Sequence, residues 1–526
     1  LRNSTNATVK FIKRLRPCSR FYLFTFGIQF SRKFILDKKY MKENRRRFLR
    51  NLSLGTVGLT AGLPLLADPF KQEHSDSVKA FVKEASSGPS IFNMCGYAAP
   101  KMDKVRIGII GLGMRGPGAV ERMSYIEGVE IKALCDKIPD RVAKAQKILE
   151  AAGLPKAKEY TGIDGWKALV ESKDIDFVYT CTPWRLHTPI ALYAMNNDKH
   201  VATEVPSAVT EDECWQLVET SEKTRKHCVI LENCCYDFFE LLTLNMVRNG
   251  FFGELIHAEG AYLHNLLGLN FEKVSDGGYM DMWRLRENAM RNGNLYPTHG
   301  LGPLSQCMNI NRGDQMDHMV SMSSDDFLMG ATARELAAKD DYYREFADKH
   351  YRGNMNTTVI RTFKGKTIMI QHDVTSPRPY SRIHQLNGTK GMARKYPEPA
   401  VISSTSGDPE KWLDEAQMKE LEDKYTLPIV KHVGEIAKKI GGHGGMDFIQ
   451  DWRLIDCLRN GLPLDINVYD AALWSSISPL SEKSVAAKSR TVDIPDFTRG
   501  AWKLNKPVNL TLDGGGTTTV RNVAEK

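Results

Sequence analysis

Four short stretches of this 526-residue chain bring together side chains that could move protons or hold a planar ring. In Trp184-Arg185-Leu186-His187 an indole could lie on a flat ring and an imidazole could reach a hydroxyl. A packing Trp and a helix-start His are the plainer reading. Glu204-Val205-Pro206 sets a carboxylate in apolar company, where partial loss of water would tune its protonation. A Glu that only caps the next helix would look the same. Glu232-Asn233-Cys234-Cys235-Tyr236 offers an amide at Asn233 and a phenol at Tyr236, or simply polar groups that close a strand end. In Asn294-Leu295-Tyr296-Pro297-Thr298-His299-Gly300, Tyr296 and His299 stand three apart on a Pro-held turn that begins a helix. Tyr262, Arg284 and Tyr380 are further candidates, each of which would serve equally as a packing or surface residue. No HExxH, GxSxG or serine-triad pattern occurs.

What would gather these stretches is a strand, a tight turn and a helix. The apolar run Val105, Ile107, Ile109, Ile110 ends in Gly111-Leu112-Gly113-Met114-Arg115-Gly116, and a helical pattern starts at Pro117. Gly111 suits a sharp turn out of a strand, and Gly113 a close approach of backbone to a pyrophosphate. Gly116 suits a helix packed close behind, whose N-terminus points partial positive charge at phosphates. A lone GxGxxG is weak evidence. Here a second apolar strand, residues 129–134, follows and ends at Cys135-Asp136, about where a carboxylate would hold the adenosine ribose hydroxyls. That order predicts a dinucleotide site. Asp136 would repel a 2′-phosphate, which favours NAD over NADP.

From residue 104 strands alternate with helices: strands at 105–110, 129–134, 175–180, 200–203 and 228–231, helices at 117–127, 139–152, 164–170, 188–197 and 211–226. The continuous run IDFVYT, 175–180, is that of a strand buried on both faces of a parallel sheet. The pattern predicts an α/β Rossmann domain, a doubly wound parallel sheet, over residues 104–235. Ligands of such sheets lie outside the carboxyl ends of the strands, where three of the four stretches fall. After Glu232 alternating strands at 256–263, 318–323, 358–363 and 367–374 predict an α+β domain with one open antiparallel sheet, residues 236–526. Its helices are expected at 237–249, 408–424, 428–439, 447–460 and 468–486, the second with Asp408 as N-cap and Pro409 at its first position. Gly441-Gly442-His443-Gly444-Gly445-Met446-Asp447 is a glycine-rich loop that opens a helix and brings His443 near Asp447. It lacks the Lys-Ser/Thr of a phosphate-binding P-loop.

The net charge of +9 belongs to the front of the chain. Residues 1–67 hold 15 Lys/Arg and 2 Asp/Glu, which leaves 57 basic and 61 acidic side chains elsewhere and no basic nucleic-acid face. Arg45-Arg46-Arg47-Phe48-Leu49-Arg50 matches the twin-arginine export pattern, and a modestly apolar stretch follows to Ala67. Residues 41–67 are therefore expected to be a signal for export across a bacterial inner membrane to the periplasm, cleaved near Ala67. The alternative, a membrane anchor, is disfavoured because the apolar run is too short to span a bilayer. Residues 1–40 read as translation upstream of a start at Met41, and 68–103 as a polar extension draped over the surface. The ten cysteines lack paired CxxC spacing, so they are expected to be mostly reduced, buried apolar side chains, with neither a metal site nor a disulfide framework.

Taken together, the motifs resemble the glucose–fructose oxidoreductase/inositol dehydrogenase superfamily and, within it, glycoside hydrolase family 109, the NAD-dependent α-N-acetylgalactosaminidases. The likeness runs through GLGMRG, TPWRLH, EVPSA, ENCCY, NLYPTHGLGP, RPYSR and GGHGGMD, over nearly all of residues 104–502. The resemblance implies NAD held by Gly111, Gly113, Met114, Arg115, Gly116, Asp136, Trp184, Arg185, Leu186, His187, Glu204, Val205 and Asn233. It implies a sugar bound by Tyr262, Arg284, Tyr296, Pro297, Thr298, His299 and Tyr380. The substrate would be a glycan or small molecule with terminal N-acetylgalactosamine; a monomer and a homo-oligomer both remain open. Dehydrogenases of the superfamily generally carry Glu-Lys-Pro where this chain has Glu204-Val205-Pro206, the lysine serving the alcohol proton. Leu295 also replaces the aspartate usual four residues before the active-site histidine. The implied cycle is oxidation at C3, loss of the C2 proton, elimination of the glycosidic oxygen, addition of water and return of the hydride. In it His299, helped by Tyr296, handles the C3 hydroxyl proton, Tyr236 is the candidate base at C2, and Glu204 assists proton transfer or positions the nicotinamide. An NAD-dependent sugar or polyol dehydrogenase and a non-catalytic sugar- or nucleotide-binding relative are the alternatives.

Overall fold

Val105, Ile107 and Ile109 are fully buried, and the strand they form lies at the centre of the first sheet. The computed structural model describes residues 92–508 and 510–521; the expected upstream segment, the twin-arginine leader and residues 68–91 lie outside the described residues. The first sheet contains β1 (Val105–Ile110), β2 (Val129–Asp136), β3 (Lys158–Thr161), β4 (Phe177–Thr180), β5 (His200–Thr203) and β6 (Cys228–Ile230). Their order is β3-β2-β1-β4-β5-β6, all parallel, so the topology switches between β1 and β4. That doubly wound order places a ligand crevice at the ends of those two strands. Gly111 makes the turn at φ +89°, and a Cβ there would lie 2.8 Å from the Cys181 carbonyl carbon just after β4. Gly116 has the expected packing role: its Cβ would lie 2.1 Å from the Gly111 carbonyl oxygen.

The second sheet contains β7 (Leu255–Leu263), β8 (Met316–Ser323), β9 (Asn356–Thr362), β10 (Thr367–Asp373), β11 (Gln385–Gly388), β12 (Gly391–Arg394), β13 (Val401–Ser404) and β14 (Val492–Asp493), in the order β13-β12-β11-β7-β10-β9-β8-β14. It is open, as expected, but mixed, because β7 and β10 pair in parallel while the other neighbours are antiparallel. The helix expected from Asp408 begins instead at Glu415, since Asp414 completes a capping box with Gln417 and Asp408 has no such partner. Helices Met446–Asn460 and Val468–Ala486 pack back onto the first sheet's layers: Arg122 Nε donates to Asp451 at 2.7 Å, and Ser207 N to Ser475 Oγ at 3.1 Å. The end of the N-terminal extension is tucked in rather than draped, with Met94 only 2% exposed and its amide donating to Tyr469 Oη at 3.1 Å. All nine described cysteines are unpaired. Among the described residues no helix is long and apolar enough to cross a membrane.

One seam within the second domain is made of backbone. Helix Thr298–Cys307 lies on β7 so closely that a Cβ at Gly300 would be 2.3 Å from Ala261 N, and one at Gly302 2.8 Å from Glu232 Cγ. It therefore presses the residue before Gly300 against both β7 and the end of β6.

Burial carries a cost in acid. His200, His227 and His384 are each pulled down to about 3. Burial is the main cause in all three, helped by Lys226 at His200, by His200 at His227, and by Arg382 and Lys395 at His384. Unfolded, each would titrate near 6.5. A depressed pKa stabilises the fold above pH ~6.5, and that contribution is lost as the pH falls toward the folded value. Each neutral ring should cost about 2 kcal/mol of stability on going from pH 8 to pH 5. His227→Phe, at a ring whose Nε2 is buried without a partner, should make the decline of urea midpoint between those pH values shallower by about one proton. An unchanged slope would refute this.

Candidate active site

A cleft of about 730 Å³ runs from the ends of β1, β2, β4 and β5 to the inner side of β7. Its nucleotide half is lined by Gly111, Gly113, Met114, Arg115, Asp136, Arg141 and Trp166, and its inner half by Trp184, Glu204, Val205, Asn233, Tyr262, Arg284, Tyr296, His299 and His443. The tight glycine turn and the carboxylate at the end of β2 fit an extended dinucleotide. Asp136 is also part of the turn itself: Oδ2 accepts from Leu112 N at 2.8 Å and Oδ1 from Ile138 N at 2.9 Å.

The chemistry centres on His299. Its Nδ1 lies 2.7 Å from Oε1 of Glu232, a residue with no exposed surface. Burial alone would push this carboxyl up, yet the adjoining imidazole and the Cys234 amide at 3.2 Å hold it below the usual range. With Nδ1 committed to an ionised partner, the other ring nitrogen is left for the cleft. This is an imidazole oriented for proton transfer. Glu232 also belongs with Cys234 and His299 to a group whose ligand atoms lie within 4.8 Å of one another, but the short carboxylate–imidazole contact already gives two of the three a task.

Around it stands an aromatic box. Tyr296 lies 4.6 Å from Tyr262 and 5.8 Å from Trp184, ring to ring, and Tyr262 is 5.3 Å from the His299 ring. Arg284 is stacked over Tyr296 at 4.9 Å and Trp184 at 5.4 Å, and its Nη1 donates to Tyr279 Oη at 3.0 Å. Its Nη2 is buried with no protein partner, an arrangement suited to a ligand oxygen. The Tyr262 hydroxyl lies 2.9 Å from His264 Nδ1. Aromatic faces with one directed guanidinium suit a pyranose ring, whose C–H face is apolar and whose edge carries hydroxyls.

Several expected site residues stand elsewhere. Tyr236 is not in the cleft: the short turn 233–236 points it to the far side, where its hydroxyl donates to Asp465 at 3.3 Å. Burial and that carboxylate push its phenol far up, so it is no base at C2. Burial likewise pushes Tyr296 up, which makes it a wall and donor rather than a proton acceptor. His187 lines the cleft, but both ring nitrogens are occupied, at 2.6 Å from Pro206 O and 2.7 Å from Thr182 O, so it ties two strand-end loops together. Arg185 is paired with Glu287 at 2.5 Å outside the cleft. Pro297 and Thr298 are buried behind His299, and Tyr380 stands behind Tyr262 against His264, 5.0 Å ring to ring. Val205 does line the cleft, and it brings no proton.

Sequence reasoning missed Glu232 as the partner of His299, and missed Tyr279, Trp283 and His264. An acid directly after an apolar strand was a visible signal for Glu232; the histidine it serves is 67 residues away.

The comparisons agree with this geometry. Residues 105–232 match the model of the oxidoreductase family's NAD-binding Rossmann fold, and 236–504 that of the glycosyl hydrolase 109 C-terminal domain. Fold and site thus define an NAD-dependent enzyme that works on sugars. A Bacteroides fragilis protein named alpha-N-acetylgalactosaminidase is 50% identical over 416 residues, 79% of this chain and 97% of its own length. The chain belongs to glycosyl hydrolase family 109 and is an NAD-dependent glycoside hydrolase. A family 109 protein of Shewanella pealeana is 45% identical over 480 residues, covering 89% of this chain and 99% of its own. Among solved structures, levoglucosan dehydrogenase with NADH and L-sorbose superposes with a TM-score of 0.57 at 17% identity, over 75% of this chain and all of that one. At that identity the likeness speaks for the fold.

Proposed function

We propose that this enzyme releases terminal α-N-acetylgalactosamine by transient oxidation at C3, elimination across C2 and C1, addition of water and reduction. The observation that carries the reading is the Glu232–His299 pair, whose imidazole lines the same cleft as Val205, where a dehydrogenase of this superfamily would hold its lysine. The name of the B. fragilis relative supports the sugar. Bound NAD⁺ supplies a reversible hydride acceptor. His299 takes the C3 hydroxyl proton on its cleft-side nitrogen, and Glu232 stabilises the imidazolium that results. Arg284 Nη2 and the box of Trp184, Tyr262 and Tyr296 hold the ring. The ketone at C3 acidifies the C2 hydrogen, so a weak base suffices. With Tyr236 outside the cleft, that task passes to Tyr262, whose own proton moves to His264 Nδ1 at 2.9 Å as the phenol takes the one from C2. The same group then returns the proton to C2 once water has added at C1.

Cleavage of a chromogenic α-N-acetylgalactosaminide in heavy water tests the proposal. Aglycone release without net NADH, and with deuterium at C2 of the freed sugar, is expected. A retained C2 hydrogen would refute elimination, and NADH accumulating with substrate would indicate a dehydrogenase. We also propose export by the twin-arginine route, supported by Arg45-Arg46 ahead of Phe48-Leu49. Replacing both arginines with lysine should leave the enzyme in the cytoplasm; unchanged periplasmic activity would refute it.

A further inference from the structure

The glycine-rich loop before helix Met446–Asn460 belongs to the second half of the chain, yet it reaches the nucleotide turn of the first. Asp447 is 2% exposed. Its Oδ2 accepts from Arg115 Nη1 at 3.0 Å, lies 3.5 Å from Arg122 Nη1 and 3.0 Å from His443 Nδ1, while Oδ1 accepts from Asn233 Nδ2. Burial would raise this carboxyl, but His443 and the two arginines hold it far below its usual range. Arg115 extends the network to Glu204 Oε1 at 2.8 Å.

This changes the role of Arg115. Its charge sits between two carboxylates, and Arg122 is matched by Asp451 at 2.7 Å. Neither guanidinium is a free cation for the nucleotide. His443 also stands at this end of the cleft. Its side chain is half exposed, lines the cleft beside Arg115, Glu204 and Asn233, and is fixed through Nδ1, so that its other nitrogen has no protein partner among the described residues. The residue sits at φ +48°, a left-handed conformation rare for a side chain other than glycine, so the loop holds it there against local preference.

We propose that His443 is a nucleotide-positioning residue. Asp447 takes Nδ1–H and so orients the ring, and Nε2 presents its lone pair to a ribose hydroxyl of the bound dinucleotide between the Gly111–Gly116 turn and Glu204. Cofactor retention would then depend on both halves of the chain. The inference rests on the NAD site, and is independent of which sugar is cleaved.

Two substitutions separate contact from packing. His443→Asn keeps a donor near the Nδ1 position for Asp447 but removes the cleft-side nitrogen; His443→Gln keeps an acceptor near the Nε2 position. The enzyme is loaded with NADH, chased with excess NAD⁺, and the loss of bound-NADH fluorescence is followed. The Asn variant should release NADH roughly fivefold faster than the parent, the loss expected of one neutral hydrogen bond, and the Gln variant within about twofold. Parental release from the Asn variant would overturn the proposal. So would equally fast release from both variants with lowered melting temperatures, which would mark a packing role. A parent that retains NADH but cleaves no α-N-acetylgalactosaminide would refute the proposed function and leave this inference standing.

Discussion

Replacing His299 with alanine should lower kcat by about 10²–10⁴-fold, the range expected for a lost general base, while NAD remains bound. The expectation follows from how few cleft groups can take a proton. Tyr236 is outside, His187 has both nitrogens occupied, burial pushes the phenol of Tyr296 up, and Tyr262, raised likewise, accepts a proton only by passing its own to His264. The alanine variant carries a second cost. Glu232 is wholly buried and already has Oε2 without a partner, so removing the imidazole leaves an uncompensated charge, worth about 3–5 kcal/mol of stability. His299→Asn is the better test, because its amide can still donate toward Glu232. It should fold near normally, bind NAD and show the same collapse of turnover. Activity above a tenth of the parent in a folded His299→Asn protein would exclude His299 as the base.

The second large effect is expected at Arg284. Lysine there would keep the charge but could not reproduce the flat stack over Tyr296 and Trp184, the bond to Tyr279 and the free Nη2 together. Losing a charged hydrogen bond to the sugar amounts to about 1.5–3 kcal/mol, or roughly 10–100-fold. Arg284→Lys should therefore lower kcat/KM by about 100-fold, mostly through KM, because ring binding is used before and during the reaction alike. The measurement is steady-state kinetics with the chromogenic glycoside. A loss confined to kcat would place the guanidinium at the reacting atoms instead of the sugar's edge.

Much of the fold was legible where its signals are local. β1, β5 and helix Val468–Ala486 run over the residues that the pattern marked, since strands buried on both faces and a helix capped by Asn467 write themselves in consecutive side chains. The pairing of β7 with β10 was not, because it joins segments about a hundred residues apart, and nothing in either strand encodes its neighbour. β11, β12 and β13, of four residues each, are too short and mixed for alternation to show. At the site, strand-end position was a sound guide for Glu204 and Asn233. It failed for Tyr236, because a single 3₁₀ turn separates the side that faces the cleft from the side that faces Asp465. The dyad stayed hidden for the same reason as the strand pairing: Glu232 and His299 meet only once the sheets are in place.

The glycine seam between helix Thr298–Cys307 and β7 has an evolutionary consequence. Main chain touches main chain at Gly260 and Gly300, so the spacing of His299 from Tyr262 is not set by side chains that drift could enlarge or shrink. The proton-handling pair is thus insulated from changes elsewhere in the core. New sugar preferences would have to arise at the half-buried Tyr279 and Trp283, and could do so without disturbing the chemistry. In this architecture selectivity is free to diversify while the reaction stays fixed.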